Sequence, residues 1–125
     1  MDIQEPPVYE SKETYGMKGW FQSIYRAIKR RTAIVTQTAA YTVADNVFHV
    51  REDATGGART VTLPAALTRE GRQILVTKID ASGNAVTVAA AGSDTIQGAA
   101  TVALAAQWSK ALVISNGNNG WERIV

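Results

Sequence analysis

The chain has 125 residues, of which 46% are hydrophobic and 19% charged, with a formal net charge of +2 and no cysteine. That is the length and composition of one globular domain with appendages, and the absence of thiols excludes disulfides and thiolate metal sites. The N-terminus MDIQEPPVYE is acidic and lacks the apolar stretch of a signal peptide, and no apolar run approaches the ~20 residues a membrane span needs.

The small net charge hides an uneven distribution. Residues 1–15 carry Asp2, Glu5, Glu10 and Glu13 against Lys12, a balance of −3. Residues 16–31 carry Lys18, Arg26, Lys29, Arg30 and Arg31 with no acid, a balance of +5. Residues 32–125 hold seven cations and seven anions and are neutral. A nucleic-acid-binding domain would show a basic face with interleaved aromatics in its body. A neutral body with a polarised appendage fits a charged docking element better.

Residues 1–14, with Pro6-Pro7 and four acids, show no periodicity and read as an extended arm. Residues 15–35, YGMKGWFQSIYRAIKRRTAIV, read as an amphipathic helix and its linker. Met17, Trp20, Phe21, Ile24, Ala27 and Ile28 recur three and four apart on one face. Lys29, Arg30 and Arg31 crowd the last turn, where cations oppose the negative end of the helix dipole. A helix of about 15 residues is roughly 22 Å long and marginal alone in water. Its apolar face therefore needs a cover, with each of Trp20, Phe21, Ile24 and Ile28 worth roughly 1.5–3 kcal/mol if buried. The cover is either the chain's own body, a partner, or copies of the helix itself. A membrane-surface role has the basic and aromatic composition but no lipidation signal.

From Ala33 the period changes to two, and residues 36–125 read as a β module. Strands are expected at Tyr41–Val43, Val47–Arg51, Arg59–Leu63 (stopped by Pro64), Gln73–Ile79, Ala85–Ala89, Thr95–Gln97, Thr101–Leu104, Trp108–Ser115 and Trp121–Val125. Gln73–Ile79 is apolar on both faces and is placed centrally. Asn116-Gly-Asn-Asn-Gly120 reads as a hairpin turn between the last two strands. Short strands with no room for crossover helices predict an all-β fold, a small antiparallel β-sandwich or jelly-roll-like module behind the arm and helix. The expected inward residues are Val43, Val47, Val50, Val61, Leu63, Ile74, Val76, Ile79, Val86, Val88, Ile96, Val102, Leu104, Leu112, Ile114 and Ile124. So thin a core of small side chains argues for oligomerisation.

No catalytic constellation emerges. His49 is the one histidine, alternating with Phe48 and Val50, and reads as a strand-surface or interface residue. Glu52-Asp53 beside Gly56-Gly57 reads as a solvated turn, and Asp80 and Asp94 as turn formers. Calcium-loop and phosphate-loop spacings are lacking, so no cofactor or metal is expected. Trp108 and Trp121 read as core or interface aromatics, with a sugar-stacking platform as the other reading.

The run Tyr41-Thr-Val43, Asp53-Ala-Thr-Gly-Gly57, Thr60-Val-Thr-Leu-Pro-Ala-Ala66, Gly71-Arg72 with Ile74, Lys78-Ile-Asp-Ala81, Asn84-Ala-Val-Thr-Val88, Gly92-Ser-Asp-Thr-Ile96 with Gly98, and Asn118 to Trp121 resembles a β module of tailed-bacteriophage structural proteins. Tail fibres, tailspikes, head fibres and capsid decoration proteins carry it. The resemblance covers roughly residues 40–125, brings no catalytic residues, and implies a homotrimer. Because the chain ends with the module, a capsid decoration (cement) or head-fibre protein of the virion, made in the host cytoplasm, is expected. Its partner would be the major capsid protein or a tail protein, with no direct contact to nucleic acid or membrane. The expected partner-binding residues are Trp20, Phe21, Ile24, Ile28, Arg30 and Arg31. A short tail-fibre or baseplate adaptor, or a displayed glycan-binding module, are the alternatives.

Overall fold

The computed structural model describes residues 32–125. The expected arm, the expected helix up to residue 31 and the six expected partner-binding residues lie outside them, while Ala33 to Val35 of the expected linker are already strand. Ten strands follow: β1 (Ala33–Gln37), β2 (Tyr41–Thr42), β3 (Val47–Glu52), β4 (Arg59–Thr62), β5 (Gln73–Lys78), β6 (Val86–Ala89), β7 (Thr95–Ile96), β8 (Thr101–Leu104), β9 (Lys110–Ser115) and β10 (Gly120–Arg123). They form two sheets, a six-stranded one in the order β1-β3-β5-β9-β10-β7 and a four-stranded one in the order β2-β4-β6-β8. The body is all-β, as the period of two predicts.

The expected antiparallel arrangement is corrected. Strands β1, β3 and β5 run parallel in the larger sheet, and β2, β4 and β6 run parallel in the smaller one. The chain alternates between the sheets, so it winds as a short two-sheet coil of three rungs. The missing crossover helices are not needed, because each parallel return passes through the opposite sheet: β2 links β1 to β3, and β4 links β3 to β5. Strands β8 and β9 then pair antiparallel with β6 and β5, and β10 pairs antiparallel with β9.

Register stacks like residues across the rungs. In the larger sheet Val35, Val50, Val76 and Ala111 are successive partners facing inward. In the smaller sheet Tyr41, Val61, Val88 and Val102 do the same. With Val47, Leu63, Ile74, Val86, Leu104, Val113 and Trp121 they build the core between the sheets. Valine suits this place, since a β-branched side chain is stiff and packs on a pleated surface. The expected strand at Trp108 begins instead at Lys110, and Trp108 sits in the preceding turn.

Candidate interaction surface

Polar residues of the motifs quoted above hold successive turns together. The Asp80 carboxylate accepts from the backbone N–H of Ala54 at 2.8 Å and from the Lys78 ammonium at 2.7 Å. It also accepts from the Ser82 hydroxyl and, at 3.0 Å, from the Ser82 N–H. Burial opposes ionisation of Asp80, but the donors from Lys78, Ser82 and Ala54 outweigh it and hold the carboxyl well below the usual range. Asn84 donates its amide to the carbonyls of Ala54 (2.9 Å) and Thr55 (3.3 Å). Asp94 accepts from the N–H of Ala66 at 2.9 Å. Asp80 and Asp94 are thus turn formers, as their setting in the sequence predicts, and each also ties down a neighbouring turn.

Glu52 is not in a solvated turn. It is the last residue of β3, fully buried and facing inward, and neither carboxyl oxygen has a hydrogen-bond partner. Desolvation pushes its pKa up to about 7, against the pull of Arg59 and with a smaller push from Asp53. A carboxyl with a raised pKa is a candidate general base. Sealed in the core, however, Glu52 is out of reach of a substrate. Among the described residues no group of three or more His, Cys, Asp or Glu is placed to hold a metal, and no helix is long and apolar enough to cross a membrane.

The exposed faces of the two sheets differ. The smaller sheet shows Thr42, Thr62, Ala89 and Thr101 in one row and Thr60, Thr87 and Ala103 in the next. The larger sheet shows an aliphatic row. Ile34, His49, Leu75 and Leu112 are successive register partners across β1, β3, β5 and β9. Ile124 continues the row beside Leu112, its N–H donating to the Leu112 carbonyl at 2.7 Å. Ile34 is 63% exposed and Ile124 56%, while Leu75 and Leu112 are half-buried. His49 is half-buried in the middle of the row, within 2.9 Å of the Thr77 hydroxyl. Its pKa is lowered by burial first and then by the nearby charges of Arg51 and Lys110, which leaves a neutral ring among aliphatic neighbours. The reading of His49 as a strand-surface residue holds.

Two members of this row, Leu112 and Ile124, and Ile114 in the neighbouring row, are residues that the sequence assigns to the core. Leu112, Ile114 and Ile124 were expected inside, yet they lie on the outer face, and Ala111, Val113 and Trp121 take the interior. Ala111-Leu-Val-Ile114 is apolar at every position, so alternation cannot say which set faces in. The signal available was the uninterrupted run itself: four apolar residues with only two places inside leave two outside.

The two tryptophans of the body part company. Trp121 is buried in the core, whereas Trp108 is 55% exposed beside Gln107, Ser109 and Lys110, on a turn where its own φ is 68°. The turn is fixed by the Trp108 N–H on the Lys78 carbonyl (2.7 Å) and the Gln107 amide on the Ile79 carbonyl (3.2 Å). No protein-family model matches the chain, and no curated protein is similar enough to it to count as a relative.

Proposed function

We propose that the chain is a structural protein of a tailed-phage particle, a capsid decoration or head-fibre protein that acts as a homotrimer. One observation carries the reading. The motif residues Ala54, Ala66, Asp80, Asn84 and Asp94 are the ones hydrogen-bonded to each other across successive turns. The motifs that carry the resemblance thus serve to hold a shape, which is what a structural module needs. The neutral body and the polarised segment ahead of it suit a module displayed at the end of an anchor.

In this function the arm and the helix dock on the shell. Trp20, Phe21, Ile24 and Ile28 bury apolar surface against it, and Arg30 and Arg31 meet acidic groups. Binding that bridges neighbouring capsid subunits stabilises the assembled shell over its parts by mass action. Losing two buried anchors of roughly 1.5–3 kcal/mol each lowers affinity by at least about a hundredfold. The test is the double substitution Trp20→Ala and Ile24→Ala in the phage that encodes the chain. The protein should then be made at normal level but lost from purified particles. Undiminished incorporation overturns the docking role.

A displayed glycan-binding module is the second reading, favoured by Trp108, whose indole is exposed among polar neighbours. Glycan-array binding that disappears in Trp108→Ala would establish it.

A further inference from the structure

We infer that the outer face of the larger sheet is where copies of this chain meet, with the row Ile34–His49–Leu75–Leu112–Ile124 lying along the rotation axis. The inference adds a surface to the self-association included in the proposed function, and it rests on that reading only for the number of copies.

The geometry of the face favours a second copy as its cover. A rotation axis parallel to the row brings each row residue against its own counterpart, so the aliphatic groups of Ile34, Leu75, Leu112 and Ile124 meet their like and the His49 rings meet each other. The rows on either side carry opposite charge. On one side Thr36, Arg51, Thr77 and Lys110 are register neighbours. On the other side Gln73, Ile114 and Glu122 are. Rotation about the row turns the acidic side of one copy toward the basic side of the next, so that Glu122 approaches Lys110 of the neighbouring copy. Within one chain the two are on different strands, with Glu122 opposite Ile114, four residues and about 13 Å along β9 from Lys110. Among the described residues neither has an ion-pair partner.

The alternative cover is the chain's own segment 16–31. Its five cations and no acid would be brought onto a face whose charges around His49 are Arg51 and Lys110, which disfavours it. A neutral body, by contrast, has no net repulsion to overcome when copies approach. The exposed Thr/Ala face of the smaller sheet offers neither an aliphatic row nor charges of opposite sign on its two sides.

The test is the absolute mass of the full chain in solution by light scattering. The wild type is expected to be oligomeric and Leu112→Glu monomeric, with the β spectrum unchanged. Thr87→Lys, on the outer face of the smaller sheet, is expected to leave the mass unaltered. Lys110→Glu should weaken assembly at least tenfold at low salt, and adding Glu122→Lys should restore it. A merely structural role of Lys110 would give no such rescue. A monomeric wild type overturns the inference and leaves residues 1–31 as the cover. An oligomer that survives Leu112→Glu overturns it too. Neither result depends on incorporation into particles, so failure here is separable from failure of the docking role.

Discussion

Glu52 and Lys78 are register partners on adjacent strands, both fully buried and facing the same way, yet they do not pair. Lys78 turns its ammonium to Asp80 and to the carbonyls of Asp80 and Ser82 at 2.7–3.1 Å. The carboxyl of Glu52 is left without a donor. One buried charge is fully satisfied at the expense of its neighbour, which stays in the fold most comfortably when protonated.

That arrangement makes stability depend on pH. The folded pKa of Glu52, about 7, lies above its ordinary value near 4.5. Between those values the folded state holds a proton that the unfolded state has released, so stability falls as pH rises through the window. The loss is on the order of 1–3 kcal/mol, once relaxation around the buried charge is allowed for. His49, whose pKa is lowered, acts in the opposite direction and only as pH falls below its ordinary 6.5. Denaturant unfolding of the wild type should therefore show a loss as pH rises from about 4.5 to about 7, levelling off above it, that is absent in Glu52→Gln. Equal slopes in the two proteins would show that Glu52 is ionised throughout.

Removing Asp80 should be severe. Asp80→Ala leaves Lys78 buried without its counter-ion and the N–H groups of Ala54 and Ser82 without their acceptor. Breaking one side of a buried pair costs about 3–5 kcal/mol. The midpoint of chemical unfolding should drop accordingly, and a loss below about 1 kcal/mol would mean that water replaces the carboxylate.

Two glycines separate backbone need from mere presence in a turn. At Gly117, with φ of 79°, an added Cβ would lie 2.6 Å from the Cβ of Glu70. At Gly83 nothing lies within 4 Å and the backbone is ordinary. Gly117→Ala should cost about 2–3 kcal/mol, and Gly83→Ala should be neutral or gain up to about 1 kcal/mol. Thermal unfolding of both variants checks the contrast, which reversal of their order would refute.

Much of the fold was legible in the sequence because it depends on local chemistry. The strands follow the period of two, Gln73–Ile79 does lie centrally as β5 between β3 and β9, and Asn116 closes the β9–β10 turn by accepting from the N–H groups of Asn118, Asn119 and Gly120. What was not legible depends on which strands meet. Direction of pairing is not legible, because a return through a second sheet leaves the same short spacing as a hairpin. The outer aliphatic row was hidden by the apolar run Ala111–Ile114, and buried Glu52 by the ordinary expectation that a Glu-Asp pair beside two glycines is solvated.

Trp108 holds a left-handed φ of 68° with its indole exposed. Such a backbone costs a non-glycine residue about 1–2 kcal/mol. Trp108→Gly should therefore raise stability, or leave it unchanged, by up to about 1 kcal/mol. A clear fall in melting temperature would show that the indole packs on the body and is not offered to a ligand.

The proposed role puts this chain on a phage particle. Quantitative mass spectrometry of purified particles, with heads and tails separated, tests it most directly. Peptides from residues 32–125 should be found with the heads, in a copy number that is a multiple of three. Their absence from both fractions would contradict the claim outright, and their presence with tails alone would replace capsid decoration by a tail adaptor.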